Sequence, residues 1–278
     1  MSNQELITGN FCWIDFATPD PEGAKAFYQK VFGWQYADIP MPCGGTYTMI
    51  TTASGDGVGG LFLMPDEMKN ANVPPHISNY IEVKNVDEST SKAKNLGAIV
   101  KMEPFDVFDY GRMAVLLDPT GAAFSLWQSK PQDCEGSMAN RETHGMFCWQ
   151  ELMTTNVDQA ADFYQNLLGW EYGAMAMDDG DYTLIKNRDE EIGGMMAPPS
   201  EMKNVPPHWN TYFTVTNINE TIAAIKNNGG NIKMGPQDIP DTGQFAVCNA
   251  PDGTVFCLFQ ISRSAVKYFN TEQIEAVY

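Results

Sequence analysis

Phe27-Tyr28-Gln29-Lys30-Val31-Phe32-Gly33-Trp34-Gln35-Tyr36 returns in the second half of the chain as Phe163-Tyr164-Gln165-Asn166-Leu167-Leu168-Gly169-Trp170-Glu171-Tyr172. Each copy reads as the end of a buried helix face, a glycine stop and the start of a strand. Ala24, Phe27, Tyr28, Val31 and Phe32 follow the i, i+3, i+4, i+7, i+8 spacing of one helix stripe. Asp20-Pro21 supplies a capping carboxylate and a proline at the first helical position, and Gly33 offers the left-handed residue that ends the helix. The second copy repeats the device with Asn156 as cap and Gly169 as stop.

Working outward, the correspondence extends in order along both halves. Phe11-Cys12-Trp13 matches Phe147-Cys148-Trp149, and Glu67-Met68-Lys69-Asn70 matches Glu201-Met202-Lys203-Asn204. Val73-Pro74-Pro75-His76 matches Val205-Pro206-Pro207-His208, and Asp118-Pro119-Thr120-Gly121 through Gln128 matches Ala250-Pro251-Asp252-Gly253 through Gln260. Such an ordered repeat predicts two homologous domains, at 11–128 and 147–260. An extension at 1–10, a polar linker at 129–146 and a tail at 261–278, with a capped helix near Thr271–Ile274, complete the expected organisation.

Within the first half the pattern predicts a strand at Phe11–Ala17, a helix, and strands near Gln35–Asp38, Tyr47–Thr52 and Gly60–Met64. It then restarts with a strand at Ile77–Val83, a helix opened by Asp87 and closed by Gly97, and strands near Val100–Glu103, Met113–Leu117 and Phe124–Gln128. Strand, helix and three strands therefore occur twice per half. This order, with the Phe-Tyr-x-x-x-x-Gly-Trp segments and the Asp-Pro-Thr-Gly and Pro-Asp-Gly turns, resembles the vicinal oxygen chelate superfamily, which includes glyoxalase I, bleomycin-resistance proteins and extradiol dioxygenases. The Trp-Ile-Asp-Phe and Trp-Gln-Glu-Leu openings with Pro-Pro-His most resemble its two-domain, glyoxalase-like members. The resemblance implies an α+β fold of tandem domains. In each, two βαβββ units form an eight-stranded cupped sheet with helices outside.

It also implies where a divalent metal would be held: by His, Gln or Glu on the first strand of each unit and by Glu on a last strand. Those positions fall here on Trp13, Ser78 and Ser125 in one half and on Trp149, Asn210 and Cys257 in the other. None is a customary hard-metal ligand, so no metal or other cofactor is expected. An alternative displaced site would use His76 or His208 with Asp15 or Glu151, which share strand parity with the vacant positions. The same alternation places Trp13, Asp15, Ser78, Tyr80, Glu82 and Ser125 in one cup, and Trp149, Glu151, Asn210, Tyr212, Thr214 and Cys257 in the other. Aromatic walls with a few polar groups suit a small organic ligand. Asp15 and Glu151, each beside a tryptophan, are the candidate catalytic carboxylates; an ion pair with Arg or Lys is the structural alternative.

Composition narrows the classes. With 35 acidic against 17 basic residues in 278, the net charge of −18 repels phosphate backbones, so nucleic acid is not an expected partner. Hydrophobic content of 43% and charged content of 19% suit a globular chain, with no apolar run of membrane-helix length. Six cysteines without a C-x-x-C pair read as reduced thiols, and with no signal-peptide pattern at the N-terminus the expected location is cytoplasmic. Gly55-Asp56-Gly57-Val58-Gly59-Gly60 matches G-x-G-x-x-G, yet a strand pattern follows it where a dinucleotide site needs a helix, so it reads as a hairpin turn. The expected function is a glyoxalase-like protein, monomer or homodimer, that binds a small organic molecule in one or both cups. A metal-dependent lyase, isomerase or hydroxylase and a non-catalytic scaffold are the rival classes.

Overall fold

Asp20 and Gly33 bracket the first helix as their chemistry dictates. In a computed structural model that describes residues 8–42, 44–130, 140–177, 180–199 and 205–262, helix α1 runs Pro21–Phe32. The Asp20 side chain accepts from the Gly23 N–H at 3.0 Å, and Gly33 takes φ 73° where a Cβ would be strained. The predicted stripe of Ala24, Phe27, Tyr28, Val31 and Phe32 is the buried face. Burial of each aromatic ring contributes about 1.5–3 kcal/mol, so an Asp at Phe27 would break this packing. Helix α4 (Val157–Leu168) repeats the scheme, with the Asn156 side chain accepting from Gln159 N and Gly169 at φ 80°.

Four βαβββ modules follow one another. The first holds β1 (Phe11–Thr18), α1, β2 (Gln35–Pro40), β3 (Thr46–Thr51) and β4 (Gly57–Leu63), followed by a short helix α2 (Asp66–Asn70). The second holds β5 (His76–Glu82), α3 (Val86–Asn95), β6 (Ile99–Val107), β7 (Gly111–Leu117) and β8 (Ala123–Ser129). The third holds β9 (Phe147–Met153), α4, β10 (Glu171–Met177), β11 (Gly180–Asn187) and β12 (Glu190–Met196). The fourth holds β13 (His208–Thr214), α5 (Ile218–Asn227), β14 (Asn231–Ile239), β15 (Gly243–Asn249) and β16 (Val255–Ile261). Each half makes one eight-stranded mixed sheet, in the orders β2-β3-β4-β1-β5-β8-β7-β6 and β10-β11-β12-β9-β13-β16-β15-β14. The first strand of every module pairs in parallel with its last, a crossover that the intervening helix makes practicable.

Packing divides the chain into two compact units, and neither is a contiguous half. Of the described residues, one unit holds those within 8–14, 78–130 and 149–211, the other those within 15–77, 140–148 and 212–262. In the first, Phe124 meets Phe163 and Tyr164, and Tyr164 stacks on Trp170 with ring centroids 5.0 Å apart. In the second, Phe16 lies against Tyr28 and Trp34, and Phe213 against Phe32 and Phe256. The repeated Gly-Trp motif now has a cause. The Trp170 Nε1–H donates to the Gly9 carbonyl at 2.8 Å within the first unit, and the Trp34 Nε1–H to the Gly145 carbonyl at 2.9 Å within the second. Each indole thus buries its whole area while satisfying its one donor, next to the entrance of the opening strand of the other half.

One expectation needs correction, and the hairpin turn expected at the glycine-rich segment is present but shorter. Helix α3 is capped by Asn85, whose side chain accepts from Glu88 N, and not by Asp87. Asp87 stands in the first turn, where a carboxylate suits the helix dipole, and takes Arg112 at 2.7 and 2.9 Å. The glycine-rich segment is a turn only to Asp56: the Gly55 N–H donates to Thr52, and β4 begins at Gly57. Among the described residues no helix is long and apolar enough to cross a membrane. The expected helix near Thr271–Ile274 lies outside the described residues.

Candidate functional site

Strand alternation sets the two faces. Phe16 packs on Tyr28 and Trp34 of the helix layer, so its neighbour Asp15 points to the opposite face; Phe124 packs on Phe163 and Tyr164, so Ser125 and Trp127 point away. Asp15 and Glu151, each 7% exposed, are therefore buried carboxylates on the face away from the helices. Carboxylates at that depth require donors. The Tyr47 hydroxyl donates to Asp15 Oδ1 at 2.6 Å, and the Tyr182 hydroxyl to Glu151 Oε2 at 3.1 Å. In the second half the chain of bonds is longer: Trp149 Nε1–H donates to the Tyr182 oxygen at 2.9 Å, and Asn210 Nδ2 reaches Glu151 Oε1 at 3.5 Å.

Glycine makes room for these pairs. Gly60 stands in register with Asp15, and Gly194 with Glu151. A Cβ on Gly60 would meet the Tyr47 hydroxyl and the Asp15 carboxylate; one on Gly194 would meet the Tyr182 ring and hydroxyl. The Gly-Gly pairs that end the false dinucleotide motif and its counterpart are thus part of the carboxylate sites. Tyr47, Tyr182, Gly60 and Gly194 were not singled out from sequence. Their signal was present in the matching Tyr47-Thr48 and Tyr182-Thr183 pairs and the shared Gly-Gly doublets.

The remaining predicted residues lie on the expected strands. Trp13 and Ser78 are half-buried; Tyr80 is buried, in register with the buried Ser125, and sets its edge on Trp127. Tyr212 is buried in register with the inaccessible Cys257 and tilts against Phe245. Trp149 is joined to Glu151 through Tyr182, and Asn210 reaches Glu151 directly. Glu82, 4% exposed, is the carboxylate that lacks a counterpart, since Thr214 replaces it in the other half. It accepts from the Ser129 N–H at 3.0 Å and the Ser129 hydroxyl at 2.8 Å. Burial raises its carboxyl above the ordinary range, against the pull of the Ser129 donors. Burial, with the Glu82 charge nearby, also pushes the Cys12 thiol well up.

The donor set does not fit a divalent metal. Among the described residues no three His, Cys, Asp or Glu side chains converge. The superfamily ligand positions carry two indoles, two hydroxyls, an amide and a buried thiol. His76 and His208 each donate Nδ1–H to the carbonyl two residues earlier, Pro74 and Pro206, at 2.8 Å, which ties the rings to their own strand entrances. Either histidine with its carboxylate supplies two donors, fewer than a structural or catalytic site uses. What the arrangement offers is an acceptor held in place: tyrosine orients the carboxylate, and in the second half an indole orients the tyrosine.

Comparison with known proteins agrees with this architecture. The model of the Glyoxalase/Bleomycin resistance protein/Dioxygenase superfamily matches residues 11–126 and 147–258. A Mycobacterium tuberculosis protein named "Putative glyoxylase CFP32" is 38% identical over 257 residues, covering 92% of this chain and 96% of that protein. The anthracycline biosynthesis protein DnrV of Streptomyces peucetius is 28% identical over 272 residues, covering 90% and 92%. Among solved structures, the Mn(II)-bound glyoxalase from Novosphingobium aromaticivorans shares the fold with a TM-score of 0.63 at 15% identity, covering 91% of this chain and 82% of that one. The 2,3-dioxygenase LapB from Pseudomonas sp. KL28 does so at 0.60 and 13%, covering 91% and 93%.

Proposed function

Because the chain belongs to the Glyoxalase/Bleomycin resistance protein/Dioxygenase superfamily, we propose that it binds a small organic molecule on the helix-free face of its sheets, using tyrosine-held carboxylates where metal-using members hold an ion. The observation that carries this reading is the repetition of one device in both halves. A buried carboxylate beside a tryptophan accepts from a tyrosine two strands away, over a glycine whose missing side chain makes room for that tyrosine. Burying a carboxylate costs several kcal/mol before its donors offset it, and a purely structural face would be served better by an apolar residue. Asp15 and Glu151 would accept from a hydroxyl, amine or acidic C–H of the ligand and act as bases where the bound geometry brings such a proton within reach. Trp13, Ser78, Tyr80, Ser125, Trp149, Asn210 and Tyr212 would shape the wall, with the inaccessible Cys257 paired behind Tyr212. The likeness to an anthracycline biosynthesis protein supports an aromatic, oxygen-rich ligand.

Elemental analysis of protein purified without chelator tests the metal-free part of the reading. Substoichiometric Mn, Fe, Ni and Zn is the expected result, and one equivalent of any of them per half would overturn it. Asp15→Asn and Glu151→Gln test the carboxylates, with loss of ligand affinity expected and unchanged affinity removing them from the site.

A further inference from the structure

The two halves differ at one end of the helix-free face, and the changes are neighbours. In the second module Trp127 projects from β8, and its Nε1–H donates to the Ser129 hydroxyl at 3.0 Å, which donates in turn to Glu82 Oε2 at 2.8 Å. Tyr80 meets the indole in a T-shaped contact, with centroids 6.3 Å apart and planes at 82°. Gly111 on the adjacent strand lies so near the indole that a Cβ there would strike its benzo ring. The ring is therefore held by a relay of hydrogen bonds ending on a buried anion and by packing, yet it stays half-buried. In the fourth module the matching residues are Phe259, Ile261 and Thr214, which can form no such relay.

The β6–β7 turn, whose end pairs with the end of β8 through Gly111 opposite Ser129 and the Lys130 N–H donating to the Tyr110 carbonyl, adds a second, independent anomaly. Its tip places Phe108 at φ 45°, a backbone region that a bulky residue rarely adopts, and leaves both Phe108 and Tyr110 52% exposed. The opposite half puts Pro240 and Thr242 at these places and gives the left-handed position to Asp241, a residue that tolerates it. Neither folding nor solubility favours exposed aromatics kept in a strained turn at this edge of the sheet.

We propose that Trp127 is a stacking platform for a planar aromatic ligand, positioned by Glu82 through Ser129, with Phe108 and Tyr110 as the aromatic lip over it. This rests on the reading that the helix-free face binds ligand, and it names the class of ligand and the half that takes it. Glu82 and Ser129 are positioning residues; Trp127 makes the contact. The indole donates its proton toward an anion, which enriches its π face and favours electron-poor or cationic rings.

The test is a fluorescence titration of the full chain with proflavine, a flat cationic dye suited to a protein of net charge −18. Saturable binding is expected, and Trp127→Leu weakens it by about tenfold or more, the loss of one stacking face. Phe259→Leu, the matching change in the other half, leaves it unchanged. Phe108→Gly separates binding from folding, because it relieves the left-handed strain and raises thermal stability while lowering dye affinity. Glu82→Gln and Ser129→Ala reduce affinity and move the Trp127 indole N–H resonance, a signal that a merely structural role of Glu82 elsewhere would leave in place. Absence of saturable binding, or equal affinity in wild type and Trp127→Leu, overturns the proposal. Dye binding that depends on Trp127 and survives Asp15→Asn and Glu151→Gln upholds the platform while removing the carboxylate reading. Binding that depends on the carboxylates and ignores Trp127 does the reverse.

Discussion

Replacing Gly194 by alanine should unseat Tyr182, and the size of the effect can be worked from its contacts. The new methyl would occupy the space of the Tyr182 ring and hydroxyl, so the side chain must move. Moving it breaks the bond from Trp149 Nε1, a neutral pair with a net contribution of about 1 kcal/mol, and the bond to the Glu151 carboxylate, about 2 kcal/mol. Local overpacking adds about 1 kcal/mol or more. Gly194 lacks a positive φ, so the usual Gly→Ala gain of about 0.4–1 kcal/mol from the unfolded chain opposes these losses. The net expectation is a destabilisation of about 3 kcal/mol. At about 2–4 °C per kcal/mol this is a fall in Tm of roughly 6–12 °C by differential scanning calorimetry. In a Tyr182→Ala background the obstacle is gone, and the same Gly194→Ala change should be neutral or slightly stabilising. A Gly194→Ala variant as stable as wild type, or one whose cost is the same in both backgrounds, would refute the argument that this glycine exists to seat Tyr182.

Other perturbations test separate parts of the account. Trp170→Phe should cost about 1–3 kcal/mol by leaving the buried Gly9 carbonyl without its donor, read as a lower urea midpoint. Asp118→Ala removes one carboxylate oxygen that gathers the Thr120, Gly121 and Ala122 N–H groups and another that accepts from Tyr164 at 3.0 Å; a loss of about 3 kcal/mol is expected, against about 1 kcal/mol for Ala250→Gly at the matching turn. Burial raises the Glu82 carboxyl above 4.5, so the native state holds this proton more tightly than the unfolded chain. Its contribution to stability therefore falls as pH rises from the unfolded value through the raised native one, and Glu82→Gln should flatten that slope in urea midpoints taken from about pH 4 to 8. Burial pushes Cys148 and Cys248 up to about 12, so these thiols should react with iodoacetamide in the native protein far more slowly than after unfolding, as peptide mapping would show.

The fold was legible because its signals are local and occur twice: Asp20 with Gly33, Asn156 with Gly169, and the five-residue stripe between them need no knowledge of tertiary structure. Asn85 and Asp87 show the limit of such reading, since both can cap a helix and only the geometry of the preceding strand selects between them. The carboxylates Asp15 and Glu151 were also legible, through alternation along a single strand. Their tyrosine partners were not. Tyr47 and Tyr182 reach them across an antiparallel pairing whose register shifts at Ile50/Thr51 and at Ile185/Lys186, and a bulge reverses the parity on which a counting argument depends. The relay from Trp127 to Glu82 was hidden for a related reason, because it joins the ends of two strands that pair only after a full crossover.

Ligand-observed NMR against a panel of phenols, aldehydes and polycyclic quinones, with EDTA present throughout, asks whether the carboxylates hold an organic ligand without a metal. Compounds that bind the wild type under chelation and lose their saturation-transfer signal in the Asp15→Asn, Glu151→Gln double variant are the predicted result. Compounds that bind only when Mn(II), Fe(II), Ni(II) or Zn(II) is supplied, or that bind the double variant equally well, would contradict it.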